Sequence, residues 1–234
     1  MKNFTIIIPI FNEVESIFDL LNEIKSEFRS DSFEIVLVDD GSSDNFQILS
    51  KSLNDNIKII KHERNLGKCM AILSGVKAST NNLISVIDGD GQNPPAELKK
   101  MIRFWIDIPS GEKEFALLCG NRIKRKDTLI KRFSSKVANK FRKFILNDDC
   151  NDTACALKVF SKSDFLKVPY IKNMHRFLPA LFKMKNGKIF NIAVKDRKRL
   201  KGESKYNFHN RFWVGIKDLL VVWFIINFKK RRNK

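Results

Sequence analysis

LISVIDGDGQNPPAELKKMIRFW, residues 83–105, contains one complete strand–loop–helix unit. The apolar run Leu83–Ile87 is typical of a buried strand. Pro95–Trp105 has the apolar periodicity of a helix and carries a proline in its first turn. Asp88-Gly89-Asp90 leaves the strand as a short acidic loop. This order of elements is the repeating unit of a parallel sheet covered by helices.

The same unit recurs outward from this segment. The predicted strands are Phe4–Ile10, Phe33–Val38, Ile57–Ile60, Leu83–Ile87, Phe115–Cys119, Ala154–Phe160 and Ile189–Val194. The predicted helices are Glu13–Phe28, a helix capped by Ser43 or Asp44 and running through Leu53, Leu66–Ala78, Pro95–Trp105, Leu129–Leu146 and His175–Met184. The pattern predicts an α/β fold with a mainly parallel, doubly wound sheet. We expect a C-terminal appendage to follow from residue 208.

Acidic and polar residues follow three of these strands directly. They are Asn12-Glu13, Asp39-Asp40 and Asp88-Gly89-Asp90. Ligands of open α/β sheets bind outside the carboxyl ends of the strands. The three clusters therefore predict one binding site at a single edge of the sheet.

Asp88 and Asp90 are the candidate metal ligands. Residues i and i+2 leaving a strand point to the same side. Two carboxylates so placed can hold one hard divalent cation, and Gln92 adds an amide oxygen. Mg²⁺ or Mn²⁺ would take its remaining ligands from phosphates and water. The alternative is that the acidic pair forms a solvated turn.

Asp39 and Asp40 are candidates for contact with a nucleotide base. One of them can accept a hydrogen bond from a base N–H while the other caps the next helix. Phe11 can stack on a base, and Glu13 can meet a base or ribose group. The alternatives are a simple turn after the strand and a helix start with a buried phenylalanine.

The net charge of +18 is unevenly distributed. Residues 1–110 carry 12 basic and 16 acidic side chains, whereas residues 195–234 carry 13 and 3. The hydrophobic fraction of 43% excludes a disordered chain. The basic second half is consistent with an anionic membrane surface or with nucleic acid. No recognised nucleic-acid motif is present, so we expect no nucleic-acid partner.

The apolar stretch Phe212–Phe228 has 17 residues, about 25 Å as a helix at roughly 1.5 Å per residue. It is interrupted by Lys217-Asp218. Three placements are open: a bilayer span, a helix docked on the domain, or a helix in the membrane interface. The interfacial placement is favoured, because it puts Trp213 and Trp223 at headgroup depth and Lys229–Arg232 on lipid phosphates.

Four segments together resemble the family-2 glycosyltransferases of GT-A fold. They are IIIPIFNE (6–13), VLVDDGSSD (36–44), RNLGKCMAILSGV (64–76) and VIDGDGQNPP (86–95). The nearest group is the dolichol-phosphate mannosyltransferase-like enzymes, which make polyprenyl-phosphate sugars. The second half matches through Asn121-Arg122, Lys131–Lys136, Asn151–Thr153, His175–Pro179 and Arg199–Tyr206.

The resemblance implies a role for each matched position. The residues expected to bind the nucleotide sugar are Pro9, Phe11, Glu13, Val38, Asp39, Asp40, Asp88, Gly89, Asp90, Arg199 and Lys205. Asp88, Asp90 and Gln92 are expected to hold Mg²⁺ or Mn²⁺. The residues expected to grip the acceptor phosphate are Arg122, Lys131, Arg132 and Ser135. Asp90, Asp152 and Arg199 are the expected catalytic residues.

The implied reaction transfers a hexose, mannose or glucose, from a GDP- or UDP-sugar to a polyprenyl phosphate with inversion. A lipid monophosphate is already mostly a dianion at pH 7, because its second pKa is about 6. A strong general base is then unnecessary. If the acceptor is instead a sugar hydroxyl of a glycan, a base is needed and Asp152 is the candidate.

The resemblance also implies an arrangement in the cell. Residues 1–207 would be the GT-A catalytic domain, and 208–234 an interfacial helix with a basic tail. The enzyme would lie peripherally at the cytoplasmic face of a membrane. One departure concerns residues 152–158, DTACALK, where the family often has Thr-Ser-Gly-Phe-Arg after the aspartate.

Overall fold

The computed structural model describes residues 3–44, 57–123, 142–199 and 208–232. The strands in this part are β1 (Phe4–Ile10), β2 (Phe33–Asp39), β3 (Ile57–Lys61), β4 (Leu83–Val86), β5 (Leu117–Arg122), β6 (Lys158–Ser161) and β7 (Ile189–Val194). The helices are α1 (Val14–Glu27), α2 (Lys68–Ala78), α3 (Pro95–Asp107), α4 (Lys162–Phe165), α5 (Leu178–Lys183) and α6 (Phe208–Arg232). Short 3₁₀ turns span Ser110–Glu112 and Met174–Arg176.

The described strands form one sheet in the order β3-β2-β1-β4-β6-β5-β7. β1 pairs in parallel with both β2 and β4, and β5 pairs in parallel with β7. β6 runs antiparallel to both of its neighbours. The predicted mainly parallel α/β sheet is confirmed, with β6 as its reversed strand.

Alternating side chains of β1 show why the sheet is covered on both faces. Ile6 and Ile8 lie in one buried cluster together with side chains of α1 and α3. Ile7 lies in a second cluster, together with side chains of α2 and α5. Successive side chains of a strand point to opposite faces, so a continuous apolar run needs cover on both.

Several predicted boundaries differ from the structure. β6 begins at Lys158, not at residue 154, because residues 154–157 form the loop beside the cleft described below. The predicted helix His175–Met184 is split into the turn Met174–Arg176 and the helix α5. The predicted helix through Leu53 lies outside the described residues, as does most of Leu129–Leu146, whose residues 142–146 are helical. Asp44 instead accepts a hydrogen bond from the Val14 N–H at the start of α1.

The C-terminal helix α6 packs on the domain with one side. Leu219, Val222 and Ile226 are buried in the second apolar cluster. Side chains on the other side are exposed, including Trp223 at 45% and Phe224 at 62%. None of the helices in the described ranges combines the length and apolar character that crossing a bilayer requires.

Candidate active site

A cleft of about 490 Å³ opens at the carboxyl ends of β1, β2 and β4. The predicted site residues that line it are Pro9, Phe11, Glu13, Asp40, Asp88, Gly89, Asp90, Gln92, Arg122 and Arg199. Residues separated by more than 180 positions in sequence are thus brought to one edge of the sheet. Val38, Asp39 and Asp152 are buried and do not contribute to its lining.

The acidic loop after β4 carries two carboxylates with different partners. Lys68 Nζ, at the start of α2, lies 2.5 Å from Asp88 Oδ1. An Arg199 guanidinium nitrogen lies 3.1 Å from Asp90 Oδ2, and another lies 3.3 Å from Glu13 Oε1. Arg199 therefore bridges the acidic loop and the residue that follows β1.

The loop is held tightly against β1 and α1. A Cβ added at Gly89 would lie 2.7 Å from the Ile10 side chain, so a larger residue would force either the loop or Ile10 to shift. Ser16 Oγ donates a hydrogen bond to the Gly89 carbonyl at 2.8 Å. The Gln92 N–H donates to Asp90 Oδ1 at 3.0 Å. These contacts fix where Asp90 meets the cleft.

Burial raises the pKa of Asp90, and the nearby Asp88 carboxylate raises it further. Two negative charges in a low-dielectric site favour binding of a cation. In the part of the chain that the structure describes, no three His, Cys, Asp or Glu side chains group so as to hold a metal. An ion here would take few protein ligands and complete its shell with phosphate oxygens and water, as Mg²⁺ does. The acidic pair fits a cation of that kind.

Asp40 holds the polypeptide that forms the neighbouring wall. Its carboxylate accepts hydrogen bonds from the N–H groups of Leu66 and Gly67 at 2.9 and 2.8 Å. His62 Nδ1 donates to it at 2.7 Å. Both oxygens of Asp40 are thus engaged by the 62–67 segment, which leads into α2.

Asp39 stabilises the turn that follows β2. Its side chain accepts a hydrogen bond from the Ser42 N–H at 2.9 Å. Gly41 has φ +74°, and an added Cβ would lie 2.4 Å from the Arg64 carbonyl carbon. Phe11, in contrast, is 36% exposed at the cleft, where a planar group can stack on it.

Arg122 and Asp152 form a two-point ion pair on the far side of the cleft. Arg122 Nε donates to Asp152 Oδ2 at 2.7 Å, and its Nη2 donates to Oδ1 at 3.0 Å. Burial disfavours the charged guanidinium, but the Asp152 carboxylate outweighs this, so the pKa of Arg122 lies above its usual value. The Arg122 guanidinium therefore stays positively charged at the end of β5.

Residues 5–168 match Glycosyl transferase family 2. A dodecaprenyl-phosphate galacturonate synthase from Rhizobium johnstonii is 31% identical over 236 residues, which cover 97% of this chain and 68% of that protein. The chain belongs to glycosyl transferase family 2. The predicted activity class, a glycosyltransferase, is confirmed.

Solved structures agree with the predicted GT-A architecture. Glucosyl-3-phosphoglycerate synthase from Mycobacterium tuberculosis, in complex with Mn²⁺, UDP and phosphoglyceric acid, has a TM-score of 0.72 at 12% identity. The match covers 96% of this chain and 78% of that one. A mannosyltransferase from Pyrobaculum calidifontis, in complex with GDP-Man and Mn²⁺, has a TM-score of 0.60 at 17% identity, over 88% and 59% of the two chains. At these identities the likeness concerns the fold.

A second buried ion pair in this family-2 glycosyltransferase holds the loop that carries Asp152. Arg142 Nε donates to Asp148 Oδ2 at 2.6 Å, and other Arg142 nitrogens donate to the Thr153 hydroxyl and the Cys150 carbonyl. Asp148 has no exposed surface. Residues 148–153 are therefore clamped on both sides of Asp152.

Several residues of the glycosyltransferase site were not identified from the sequence. They are Lys68, Arg142, Lys158 and Arg176. Lys68 has a signal in RNLGK, because a lysine at a helix start beside an acidic loop predicts an ion pair. Lys158 and Arg176 lie in segments that the sequence analysis compared with the family, residues 152–158 and His175–Pro179, but it assigned no role to either. The partners of Arg142 depend on contacts that its local sequence does not reveal. Lys131, Arg132, Ser135 and Lys205, which the sequence predicts as ligand-binding residues, lie outside the described residues.

Proposed function

We propose that this glycosyltransferase moves a six-carbon sugar from a nucleotide sugar to the phosphate of a polyprenyl lipid, with inversion. One observation carries the proposal: an acidic pair and a fixed arginine face each other across one cleft. The acidic pair suits a metal-bound diphosphate, and the arginine suits a phosphate acceptor. The name of the 31% identical relative, a dodecaprenyl-phosphate galacturonate synthase, supports the same acceptor class.

On the donor side, Asp88, Asp90 and Gln92 would hold Mg²⁺ or Mn²⁺. The metal supplies positive charge that stabilises the diphosphate as it leaves. Arg199 now lies against Glu13 and Asp90, and it exchanges these carboxylates for phosphate oxygens when the donor binds. Phe11, Glu13 and the turn after β2 surround the base and ribose.

On the acceptor side, Arg122 binds the lipid phosphate. A phosphate oxygen attacks the anomeric carbon from the face opposite the diphosphate, whose bond to that carbon breaks. The dianionic phosphate needs no base. Both Asp152 oxygens accept hydrogen bonds from Arg122, so taking a proton from a hydroxyl would cost that ion pair. This favours a phosphate over a sugar hydroxyl as the acceptor.

The decisive experiment is transfer from a panel of radiolabelled UDP- and GDP-sugars to polyprenyl phosphate, with Mg²⁺, with Mn²⁺ and with chelator. We expect label to enter the organic phase only with phosphate-bearing lipid and divalent metal. Polyprenol without phosphate is the matched control. Absence of transfer with every donor would contradict the proposal. The base, and mannose or glucose as the sugar, remain predictions that this panel also tests.

We also propose that the enzyme lies peripherally on the cytoplasmic face of a membrane through α6 and the basic residues at its end. The exposed side of α6 presents Leu220, Val221, Trp223, Phe224 and Phe228. A helix with one apolar side free and basic residues at its end suits an anionic lipid interface. Residues 208–234 would thus be the membrane-binding segment.

Co-sedimentation with anionic vesicles tests this placement. Replacing both Trp223 and Phe224 with serine should weaken binding about tenfold or more, because burial of one large apolar side chain contributes about 1.5–3 kcal/mol. Leu219→Ser is the matched control, since this buried side chain faces the domain. It should lower stability more than vesicle affinity. Unchanged sedimentation of the double variant would refute the interfacial helix.

A further inference from the structure

The cations that line the cleft differ in their partners. Lys68, Arg122 and Arg199 each lie within ion-pair distance of a carboxylate. Lys158 and Arg176 also line the cleft, but no carboxylate pairs with either within the described ranges. In the proposed mechanism the first three serve the metal-bound diphosphate and the lipid phosphate. The other two cations are left without an assigned anion.

Lys158 is a buried ammonium at the edge of the catalytic loop. It begins β6 and lies opposite Val86 of β4 and Cys119 of β5 in the sheet register. The residue is only 3% exposed. Its Nζ donates to the carbonyls of Cys155 and Leu157 at 2.6 and 3.5 Å. Burial opposes the ammonium charge, but neighbouring cysteines and the Asp152 carboxylate hold the pKa of Lys158 above its usual value. Both Asp152 oxygens accept hydrogen bonds from Arg122, so an anion that a ligand brings can still pair with Lys158.

Arg176 lies in the turn Met174–Arg176, which packs on the start of α2. The neighbouring His175 Nδ1 lies 2.9 Å from Cys69 Sγ, and the Asn173 amide donates to Asp218 of α6 at 2.9 Å. The turn is therefore fixed from two sides. The guanidinium of Arg176 is half-buried at the cleft, and the described hydrogen bond of this residue is made by its backbone N–H.

Both cations belong to the same face of the sheet. Val86 and Cys119, which flank Lys158, are buried in the second apolar cluster, and so is Met174 of the turn that carries Arg176. Paired residues on adjacent antiparallel strands share a face. Lys158 and Arg176 thus meet the cleft from one wall, the wall that α2 covers.

We propose that Lys158 and Arg176 bind a carboxylate on the transferred sugar, so that the donor is a nucleotide hexuronate. The inference rests on the proposed function and specifies the class of sugar that is transferred. A neutral mannose or glucose brings no anion to these two cations, whereas a hexuronate brings its C6 carboxylate. The relative that carries galacturonate in its name is consistent with this class of donor.

Calorimetric titration of the full chain with matched donors tests the inference by binding alone. UDP-galacturonate is compared with UDP-galactose, and GDP-mannuronate with GDP-mannose, each with Mg²⁺ present. Because hydrogen bonds between charged groups are strong, we expect each uronate donor to bind about 10- to 100-fold more tightly than the matched neutral donor. Arg176→Gln should remove most of this preference and leave the affinity for the neutral donor within about twofold.

Three variants make the result interpretable. Arg176→Lys should retain part of the uronate preference. Arg103→Gln, an exposed position on α3, should retain all of it. Lys158→Met should lose the preference if circular dichroism shows that this buried variant folds. The Arg176 variants test the inference without it.

Equal or tighter binding of neutral donors to the unaltered chain would overturn the inference and leave the proposed function standing. So would an Arg176→Gln variant that loses affinity for both donors equally, which assigns the arginine to the diphosphate. Loss of affinity for a short-chain prenyl phosphate instead would assign it to the acceptor. If no nucleotide sugar of either base binds, the proposed function itself fails.

Discussion

The proposed donor and acceptor sides of the cleft hold their charges in different ways. On the donor side, the side chains of Lys68 and Asp88 are 29% and 31% exposed. On the acceptor side, those of Arg142 and Asp148 are 9% and 0% exposed. A partly exposed pair can exchange its partner for a ligand at little cost. A buried pair cannot separate without leaving a desolvated charge.

The difference indicates a division of labour between the two sides. In the proposed mechanism, donor-side pairs keep charges in place until a diphosphate and a metal bind. Acceptor-side pairs fix the 148–153 loop, and through Asp152 they fix the guanidinium of Arg122. Variants on the acceptor side should therefore act first on stability, and variants on the donor side first on turnover.

The largest effect is expected for Arg142→Met on the acceptor side. Removing the guanidinium leaves Asp148 buried without its counter-ion, which should lower the free energy of unfolding by about 3–5 kcal/mol. Urea denaturation followed by circular dichroism measures it. The double variant Arg142→Met, Asp148→Asn should recover part of the loss. If Arg142→Met had the same urea midpoint as the unaltered protein, the distinction between the two sides would be contradicted.

Asp90→Asn on the donor side should affect turnover instead. Loss of one carboxylate from the proposed metal site should lower the transfer rate about 10²- to 10³-fold, as for removal of one preorganised transition-state contact. Stability at pH 7 should not fall, because burial raises the pKa of Asp90 and thus already disfavours its ionised form. Asp107→Asn, exposed on α3, is the control. Full activity of the Asp90 variant would refute the metal role.

Asp40→Asn tests whether the burial of a side chain or its position at the donor edge determines the effect of a substitution. Asp40 lies at the donor edge, yet its carboxylate is buried and accepts three hydrogen bonds. We expect a loss of about 1–3 kcal/mol in stability, because the amide cannot satisfy His62 as well as the carboxylate does. Thermal unfolding measures the loss. A purely catalytic defect would show that position outweighs burial.

A small stability effect is expected for Lys68→Met. A partly exposed ion pair contributes about 0–1 kcal/mol, so the unfolding free energy should change within that range. Donor affinity, measured by titration with the nucleoside diphosphate and Mg²⁺, should still change, since Asp88 loses its neighbouring cation. A stability loss as large as that of Arg142→Met would contradict the distinction between the two sides.

Much of the donor side could be predicted from the sequence. β1, β2 and β4 are apolar runs with polar residues directly after them, and parallel strands bring such residues to one edge. The rest of the cleft was harder to predict. Lys158 begins a strand of buried side chains, and its burial depends on carbonyls of the preceding loop. The partner of Arg142 depends on how residues 148–153 fold back. Hydrophobic periodicity in the sequence does not predict the path of such a loop.

The C-terminal helix shows the same limit of prediction from sequence. Its length and position were predictable, but a stretch that is apolar on several sides does not reveal which side packs on the domain. The structure assigns Leu219, Val222 and Ile226 to the domain and leaves Trp223 and Phe224 exposed.

The sequence by itself determined the alternation of strands and helices, the acidic loop after β4 and the family of the enzyme. It could do so because these depend on local periodicity and on residues that lie close together in the chain. Only the tertiary structure decided which cation meets which carboxylate. Ion pairing depends on distance and burial, and both are set by packing between segments that are far apart in sequence.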